Sequence, residues 1–464
     1  MAFPNFPLDF SNNMQNILPG EYNLFLKAHA QPSPTSIRIN KAKASYISES
    51  INNVKWCDTG LYLDKRPSFA TDPLWHGGSY YVQEASSMFL EQFLKKILPT
   101  YDQPIVLDLC AAPGGKSTLI ASLLPDDGLL VSNEIIRQRS HILAENICKW
   151  GSGNVMVTCN DPKSFESLPD FFDVIVIDAP CSGEGMFRKD PSAMEEWSLK
   201  NIQQCAERQK KIIHDVWGSL KEDGVIIYST CTYNKEENEE ILKWVSKNYE
   251  VEIIKIPIPQ EWNICEIIEE DIHGYRFYPQ RLQGEGLFMA AFIKKENNGR
   301  KNVKTNQKSL LNKASKNDID LLPNWIENSH NWFKGKIEEK IILFPEGFYK
   351  TAERIYQQLY VVHAGVELAE IIRTQANPLP DLALFKDINI KTFQVEDVDL
   401  ETAHKFLKRE DIAVSDTATG WILIAYKKIN LGWIKKSGNK ITNYYPKDWR
   451  LRMNWKEIDR ISLQ

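Results

Sequence analysis

The sequence is poor in everything that would hold a structural metal or a disulfide framework. Its 464 residues include eight histidines and eight cysteines, and none of the cysteines stands in a CxxC pair. Zinc sites and disulfide staples are therefore poor fits. The cysteines (Cys57, Cys110, Cys148, Cys159, Cys181, Cys205, Cys231 and Cys265) all fall in the first 265 residues, and single, scattered thiols suit a reducing compartment. No apolar run approaches the ~18 residues that a membrane span requires. The opening Met1-Ala2-Phe3-Pro4-Asn5-Phe6 has neither a basic segment nor a signal-type apolar core, so a cytoplasmic protein without membrane contact is expected. Net positive charge is missing too. The balance is -5 at pH 7, so a polyanionic partner has to be held by a local patch. What is present is globular composition, 43% apolar and 25% charged, in a chain long enough for roughly two to four domains.

Residues 1–80 read as an α+β unit, with a Pro-punctuated loop at Gln31-Pro32-Ser33-Pro34 and an alternating strand at Ile37-Arg38-Ile39-Asn40. Lys27, Arg38, Lys41 and Lys43 make it locally basic. Over 81–296, short apolar strands alternate with amphipathic helices: Ile105 to Leu109, Leu129 to Ser132, Val155 to Val157, Val174 to Ile177 and Val225 to Tyr228 are strands, and 137–150 and 202–220 are two of the helices. That alternation predicts an α/β fold with a parallel, doubly wound sheet. Residues 297–318, rich in Lys, Asn and Ser, read as a flexible linker. A small α/β segment (319–382) and a β-leaning tail (383–464) follow. In the tail, Trp421 to Tyr426 and Ile429 to Ile434 form a hairpin across Lys427-Lys428.

Three strand ends carry the chemistry. Asp108-Leu109-Cys110-Ala111-Ala112-Pro113-Gly114-Gly115-Lys116 joins a strand to a helix, where glycines admit a ligand to the backbone and the helix N-terminus offers free N–H donors. It has neither the P-loop spacing nor G-x-G-x-x-G. Glu134 closes the next strand, where Rossmann-like folds hold ribose hydroxyls, and Asp161 follows the third strand, near the adenine edge. An adenosyl group without a pyrophosphate fits, and S-adenosylmethionine is the candidate cofactor. Cys181 in Asp178-Ala179-Pro180-Cys181-Ser182-Gly183-Glu184-Gly185 and Cys231 in Ser229-Thr230-Cys231-Thr232-Tyr233 follow two further strands. Two thiols at sheet ends, one with a carboxylate three residues ahead, point to covalent chemistry. On spacing alone the two are equal in standing.

These stretches, with Gln83-Glu84-Ala85-Ser86-Ser87-Met88, resemble the RNA cytosine-5 methyltransferase family (the RsmB/NOP superfamily) over roughly residues 20 to 296. In the tail, Leu431-Gly432-Trp433, Lys435-Lys436 and Asn443-Tyr444-Tyr445-Pro446-Lys447 resemble the PUA-like domain of its RsmF-like branch, and Val361 to Leu368 is similar to the segment before it. Asp448-Trp449-Arg450 departs from the branch's Gly-Leu-Arg. The resemblance implies a Rossmann-like methyltransferase domain between an N-terminal RNA-binding α+β domain and a C-terminal PUA-like β domain. It implies methylation of carbon 5 of a cytosine in the decoding region of 16S rRNA, within the 30S subunit, by a monomer. Cys231 would be the nucleophile and Cys181 would assist release, while Asp178 would serve the cytosine's ring nitrogen 3 and Lys116 would line the base pocket. The cofactor would lie on residues 110–116 (Cys110, Ala111, Ala112, Pro113, Gly114, Gly115, Lys116), Glu134, Asp161 and Asp178. No metal is expected.

Eight basic residues and one acid between Lys427 and Arg452, interleaved with Trp433, Tyr444, Tyr445 and Trp449, suit phosphate contacts and base stacking. The alternatives are a tRNA cytosine-5 methyltransferase or a non-catalytic RNA-binding assembly factor. An amino-directed methyltransferase would want Asp/Asn-Pro-Pro-Tyr where this chain has Asp-Ala-Pro-Cys.

Overall fold

The computed structural model describes residues 4–44, 52–269, 272–297, 299 and 308–453. The first unit places helices Leu8–Ile17 and Tyr22–His29 beside an antiparallel sheet of β1 (Thr35–Ile39), β2 (Gly60–Leu63) and β3 (Tyr80–Val82), in the order β2-β1-β3. The helices turn Phe10 and Phe25 onto Phe187, Trp197 and Tyr233, so the first unit packs directly against the loops that carry the cysteines.

The large sheet holds β4 (Ile105–Asp108), β5 (Leu129–Asn133), β6 (Val155–Thr158), β7 (Phe172–Asp178), β8 (Leu220–Thr230), β9 (Val251–Ile254), β10 (Cys265–Glu269), β11 (Ile272–Phe277) and β12 (Leu287–Lys294). Its centre, β8-β7-β4-β5-β6, is parallel. Those strands read as unbroken Val/Ile/Leu runs because both faces are covered, each by its own apolar layer. The sheet is not parallel throughout: β12 runs antiparallel to β8, and β11 and β9 run antiparallel to β12. A run of apolar residues does not encode strand direction, so this part of the expectation is corrected.

The helices follow from local signals. Helix Arg137–Trp150 stops at Gly151, whose φ of 82° places it in the left-handed region. Helix Leu199–Trp217 starts where the Ser198 side chain accepts the Asn201 N–H, and it buries Ile202, Cys205, Ala206, Gln209, Ile212, Ile213 and Val216, a stripe of helical period.

After the central sheet come β13 (Asn312–Lys313), β14 (Trp332–Ile337), β15 (Lys340–Pro345), β16 (Val361–Ala364), β17 (Val366–Ile372) and β18 (Gln375–Pro378). Five of them form the sheet β13-β14-β15-β17-β18, whereas β16 pairs antiparallel with β6 and becomes the edge of the large sheet. Much of the expected linker, 298 and 300–307, lies outside the described residues. Its far end is ordered by pairing: β13 lies on β14, and Leu311 is buried. The tail folds as β19 (Gln394–Asp397), β20 (Gly420–Tyr426), β21 (Ile429–Ser437) and β22 (Lys440–Asn443), in chain order within one sheet. The β20–β21 hairpin turns through Lys427 and Lys428, at φ 50° and 63°. Two residues of positive φ match the turn to the strands' twist.

Candidate active site

In an open α/β sheet, ligands bind beyond the carboxyl ends of the strands, where the strand order reverses. Here that point lies between β4 and β7, since the chain goes from β4 outward to β5 and β6 and returns to β7 on the other side. Cys110 to Lys116 leave β4, Cys181 follows β7 and Cys231 follows β8, so the expected residues converge on one end of the sheet.

On the β4 side, Gly114 has φ 117° and starts helix Gly115–Leu123. A side chain there would be strained and would crowd Leu143 at 3.2 Å. Asp108 ends β4 with its carboxyl fully buried. Ser117 Oγ donates to Oδ2 at 2.6 Å, and Oδ1 has no hydrogen-bond partner among the described residues. Burial pushes this carboxyl up to about 7. Cys110 is raised too, by burial and then by the Asp108 charge. Glu134 is buried at the end of β5, accepting the Ile136 N–H at 3.0 Å, with Arg139 at 3.5 Å. A glycine turn, an orphaned acceptor oxygen and a buried acid on adjacent strand ends fit the polar edges of an adenosyl ligand. Asp161 lies differently: it is exposed, and its carboxylate accepts the Lys163 N–H at 2.9 Å, capping a short 3-10 turn. The structure shows it in that capping role.

On the β7–β8 side, Lys116 Nζ meets Asp178 Oδ2 at 2.7 Å, while Ser229 Oγ donates to Asp178 Oδ1 at 2.7 Å. Burial lowers the Lys116 ammonium's pKa, but Asp178 and then Asp108 outweigh burial, so the net shift is upward and the charge is retained. Lys116 therefore engages a carboxylate rather than solvent. The two thiols touch, Cys181 Sγ to Cys231 Sγ 3.2 Å. Cys181 is held well above the ordinary thiol range, first by that contact and then by burial. Ser229, Glu184, Glu237, Asn234 and Gln209 join the site without having been singled out from the sequence. A glutamate lodged among the glycines after Cys181 was the one available hint.

The basic surfaces are partly corrected. Arg38 is fully buried: it donates to Gln83 Oε1 at 2.9 Å, Ser122 Oγ at 3.2 Å and Thr118 Oγ1 at 2.5 Å, and lies 4.5 Å above the Trp150 ring. Lys43 donates to the carbonyls of Gly77 and Lys149, and burial lowers it to about 7. Both cations join elements instead of facing a polyanion, while Lys41 is exposed. In the tail, Trp433 and Tyr445 are core residues, Trp433 Nε1 donating to Leu379 O at 2.9 Å. Tyr444 is 42% exposed and lies against Trp421, whose ring carries Lys435 at 4.9 Å.

Strand order, glycine turn and buried acid define a Rossmann-like methyltransferase. Three family descriptions match successive parts of the chain: "N-terminal domain of 16S rRNA methyltransferase RsmF" over residues 6–85, "16S rRNA methyltransferase RsmB/F" over 95–293, and "Methyltransferase RsmF PUA domain" over 393–451. The chain belongs to the RsmB/F methyltransferase family. The ribosomal RNA small subunit methyltransferase F of Shewanella piezotolerans is 29% identical over 473 residues, 96% of this chain and 97% of that protein. The protein of the same name from Shigella boydii is 28% identical, covering 96% of each. Among solved structures, a methyltransferase homolog protein from Pyrococcus horikoshii superposes with TM-score 0.53 at 26% identity, over 62% of this chain and 96% of that one. NSun6 from Pyrococcus horikoshii, solved with SFG, gives TM-score 0.52 at 21% identity over 63% and 99%, a likeness of fold.

Proposed function

We propose that the protein transfers a methyl group from S-adenosylmethionine to carbon 5 of a cytosine in the decoding region of 16S rRNA, acting as a cytoplasmic monomer on RNA within the 30S subunit. The observation that carries this reading is the thiol pair at 3.2 Å beside the Lys116–Asp178–Ser229 triad at the switch point of the sheet. Carbon 5 of cytosine is a weak nucleophile, and a sulfur added at carbon 6 makes it enamine-like, so a covalent adduct is the chemical requirement. Bound S-adenosylmethionine supplies an electrophilic methyl group.

This chain's residues do the remainder. Cys231, the cysteine that the family resemblance marks as the nucleophile, attacks carbon 6, with the Cys181 sulfur in contact at 3.2 Å. As Cys231 adds to carbon 6, its thiol proton passes to ring nitrogen 3 by way of the Asp178 carboxylate, which the charged Lys116 holds in place. For release, the carbon 5 hydrogen leaves as a proton to water, its electron pair restores the ring double bond, the sulfur–carbon bond breaks with its pair returning to Cys231, and ring nitrogen 3 hands its proton back through Asp178 to that sulfur. Cys181, in contact with that sulfur, assists the departure. Glu134 is suited to the ribose hydroxyls, and the backbone of residues 110–116 to the methionine portion; Asp161, whose Oδ1 holds the cap, would meet the adenine edge through Oδ2. A target inside folded RNA has to be splayed out to reach this site, and Tyr444 with Trp421 and Lys435 offers a stacking surface outside it.

Labelled methyl transfer to 30S subunits, naked 16S rRNA and tRNA, with the product identified as 5-methylcytosine, tests the proposal. Label in 16S rRNA, with or without the subunit proteins, supports it. Label in tRNA alone, or in a modified base other than 5-methylcytosine, overturns it.

A further inference from the structure

Two buried carboxylates tie the cysteine loops together in a reciprocal manner. Glu184 stands three residues after Cys181, yet it serves the Cys231 segment. Its Oε2 accepts from Thr232 Oγ1 at 2.6 Å, Tyr233 N at 2.8 Å and Asn234 N at 2.9 Å, and its Oε1 accepts from Trp197 Nε1 at 3.0 Å. Glu237 stands six residues after Cys231 and serves the Cys181 segment. It accepts the Ser182 N–H at 3.0 Å, with Gln209 Nε2 and Asn234 Nδ2 each at 2.8 Å. Ser182 and Thr232 hydroxyls meet at 3.0 Å between them, and Gly185 N donates to Cys231 O at 2.8 Å. Glu184 is 2% exposed and Glu237 0%.

Burying a carboxylate is costly unless every oxygen is supplied with donors, and here both are. A loop joint that only had to pack would need apolar residues. We propose that Glu184 and Glu237 are positioning residues that hold the Cys181 and Cys231 sulfurs in contact, and so set the balance between adduct formation and release. The proposal rests on the reading of these cysteines as the reacting pair. The Glu237 charge also adds to what keeps Cys181 protonated, after the Cys231 contact and burial.

Glu184→Gln and Glu237→Gln keep size and shape, but an amide nitrogen must then face a donor whichever way it turns. The direct readout is the rate at which diamide links Cys181 to Cys231, followed by peptide mass mapping. The two thiols lose two electrons and two protons, and the azo reagent takes up both. No RNA or cofactor is needed, so a failure of the proposed methylation leaves this readout intact. Both variants are expected to slow the link by about tenfold or more, and Thr232→Val, which removes one donor, by less. Glu239→Gln, which breaks an equally buried pair with Arg276 two residues beyond Glu237, is expected to link at the wild-type rate. Wild-type rates in both clamp variants, or equal slowing in Glu239→Gln, would overturn the clamp. Should either Gln variant fail to fold, Thr232→Val against Glu239→Gln decides the matter in the same way. In the methylation assay the clamp variants are expected to lower kcat with KM for RNA and cofactor unchanged. A raised KM with kcat intact speaks for a merely structural part and against the clamp.

Discussion

Asp108 shows how one side chain couples the end of β4 to pH. Its carboxyl is raised to about 7 by burial, above its value in an unfolded chain near 4. A raised acid is protonated more readily in the folded protein, so its contribution to stability is full below about pH 4 and is lost as pH rises toward 7. Asp108→Asn removes that loss while keeping an oxygen for Ser117. The difference in unfolding temperature, variant minus wild type, is expected to grow between pH 5 and pH 8 without methyl donor. A difference independent of pH would show that burial does not act on this group. The sequence displays Asp108 at a strand end, but whether a carboxyl there is charged depends on what covers it, and that is tertiary information. Cys181 and Cys231 were legible as a pair for the opposite reason, because each follows an apolar run that can only be a buried strand.

Among elements, the junction of β1 with helix Gly115–Leu123 turns on Arg38. Replacing it with Met leaves the buried Gln83 and Thr118 oxygens without that donor, and roughly 2–4 kcal/mol of stability should be lost, measured by urea unfolding. A loss below about 0.5 kcal/mol would mean the guanidinium is replaceable packing. Nothing in Ile37-Arg38-Ile39-Asn40 distinguishes an inward arginine from a solvated one, which is why the basic stretch read as surface. The parallel strands β4 to β8 were legible because their Val/Ile/Leu runs follow from burial on both faces. The pairing of β16 with β6 was not, since Val361 to Ala364 looks like any strand and its partner lies about 200 residues earlier. The tight passage at Gly286 was hidden too: a Cβ there would stand 2.4 Å from the Tyr233 ring. Gly286→Ala is therefore expected to displace the Cys231 segment and lower kcat, read against unchanged cofactor affinity.

At the scale of the molecule, the site is assembled from parts far apart in sequence. The first unit packs on the cysteine loops, and the tail packs on the first unit through Phe406 and Leu407 of helix Leu400–Lys408 together with Leu431 and Tyr445. His76 sits in that second joint, its Nδ1 3.1 Å from the Tyr445 hydroxyl and its Nε2 2.8 Å from Ala70 O. Burial, then the Lys149 charge, depresses it to about 3. A depressed histidine contributes fully above its unfolded value near 6.5 and progressively less as pH falls below it. Hydrogen exchange in residues 393–451 is thus expected to quicken from pH 7.5 to pH 5, after correction for intrinsic rates, and to do so less in His76→Gln. Among the described residues, no helix is long and apolar enough to cross a membrane. The central claim concerns the two sulfurs and is tested by incubating Cys181→Ala and Cys231→Ala with 16S rRNA and S-adenosylmethionine and resolving covalent protein–RNA complexes under denaturing conditions. Cys181→Ala is expected to accumulate the complex and Cys231→Ala to form none; a complex with Cys231→Ala alone would mean that the roles are exchanged, and a complex with neither would contradict covalent catalysis.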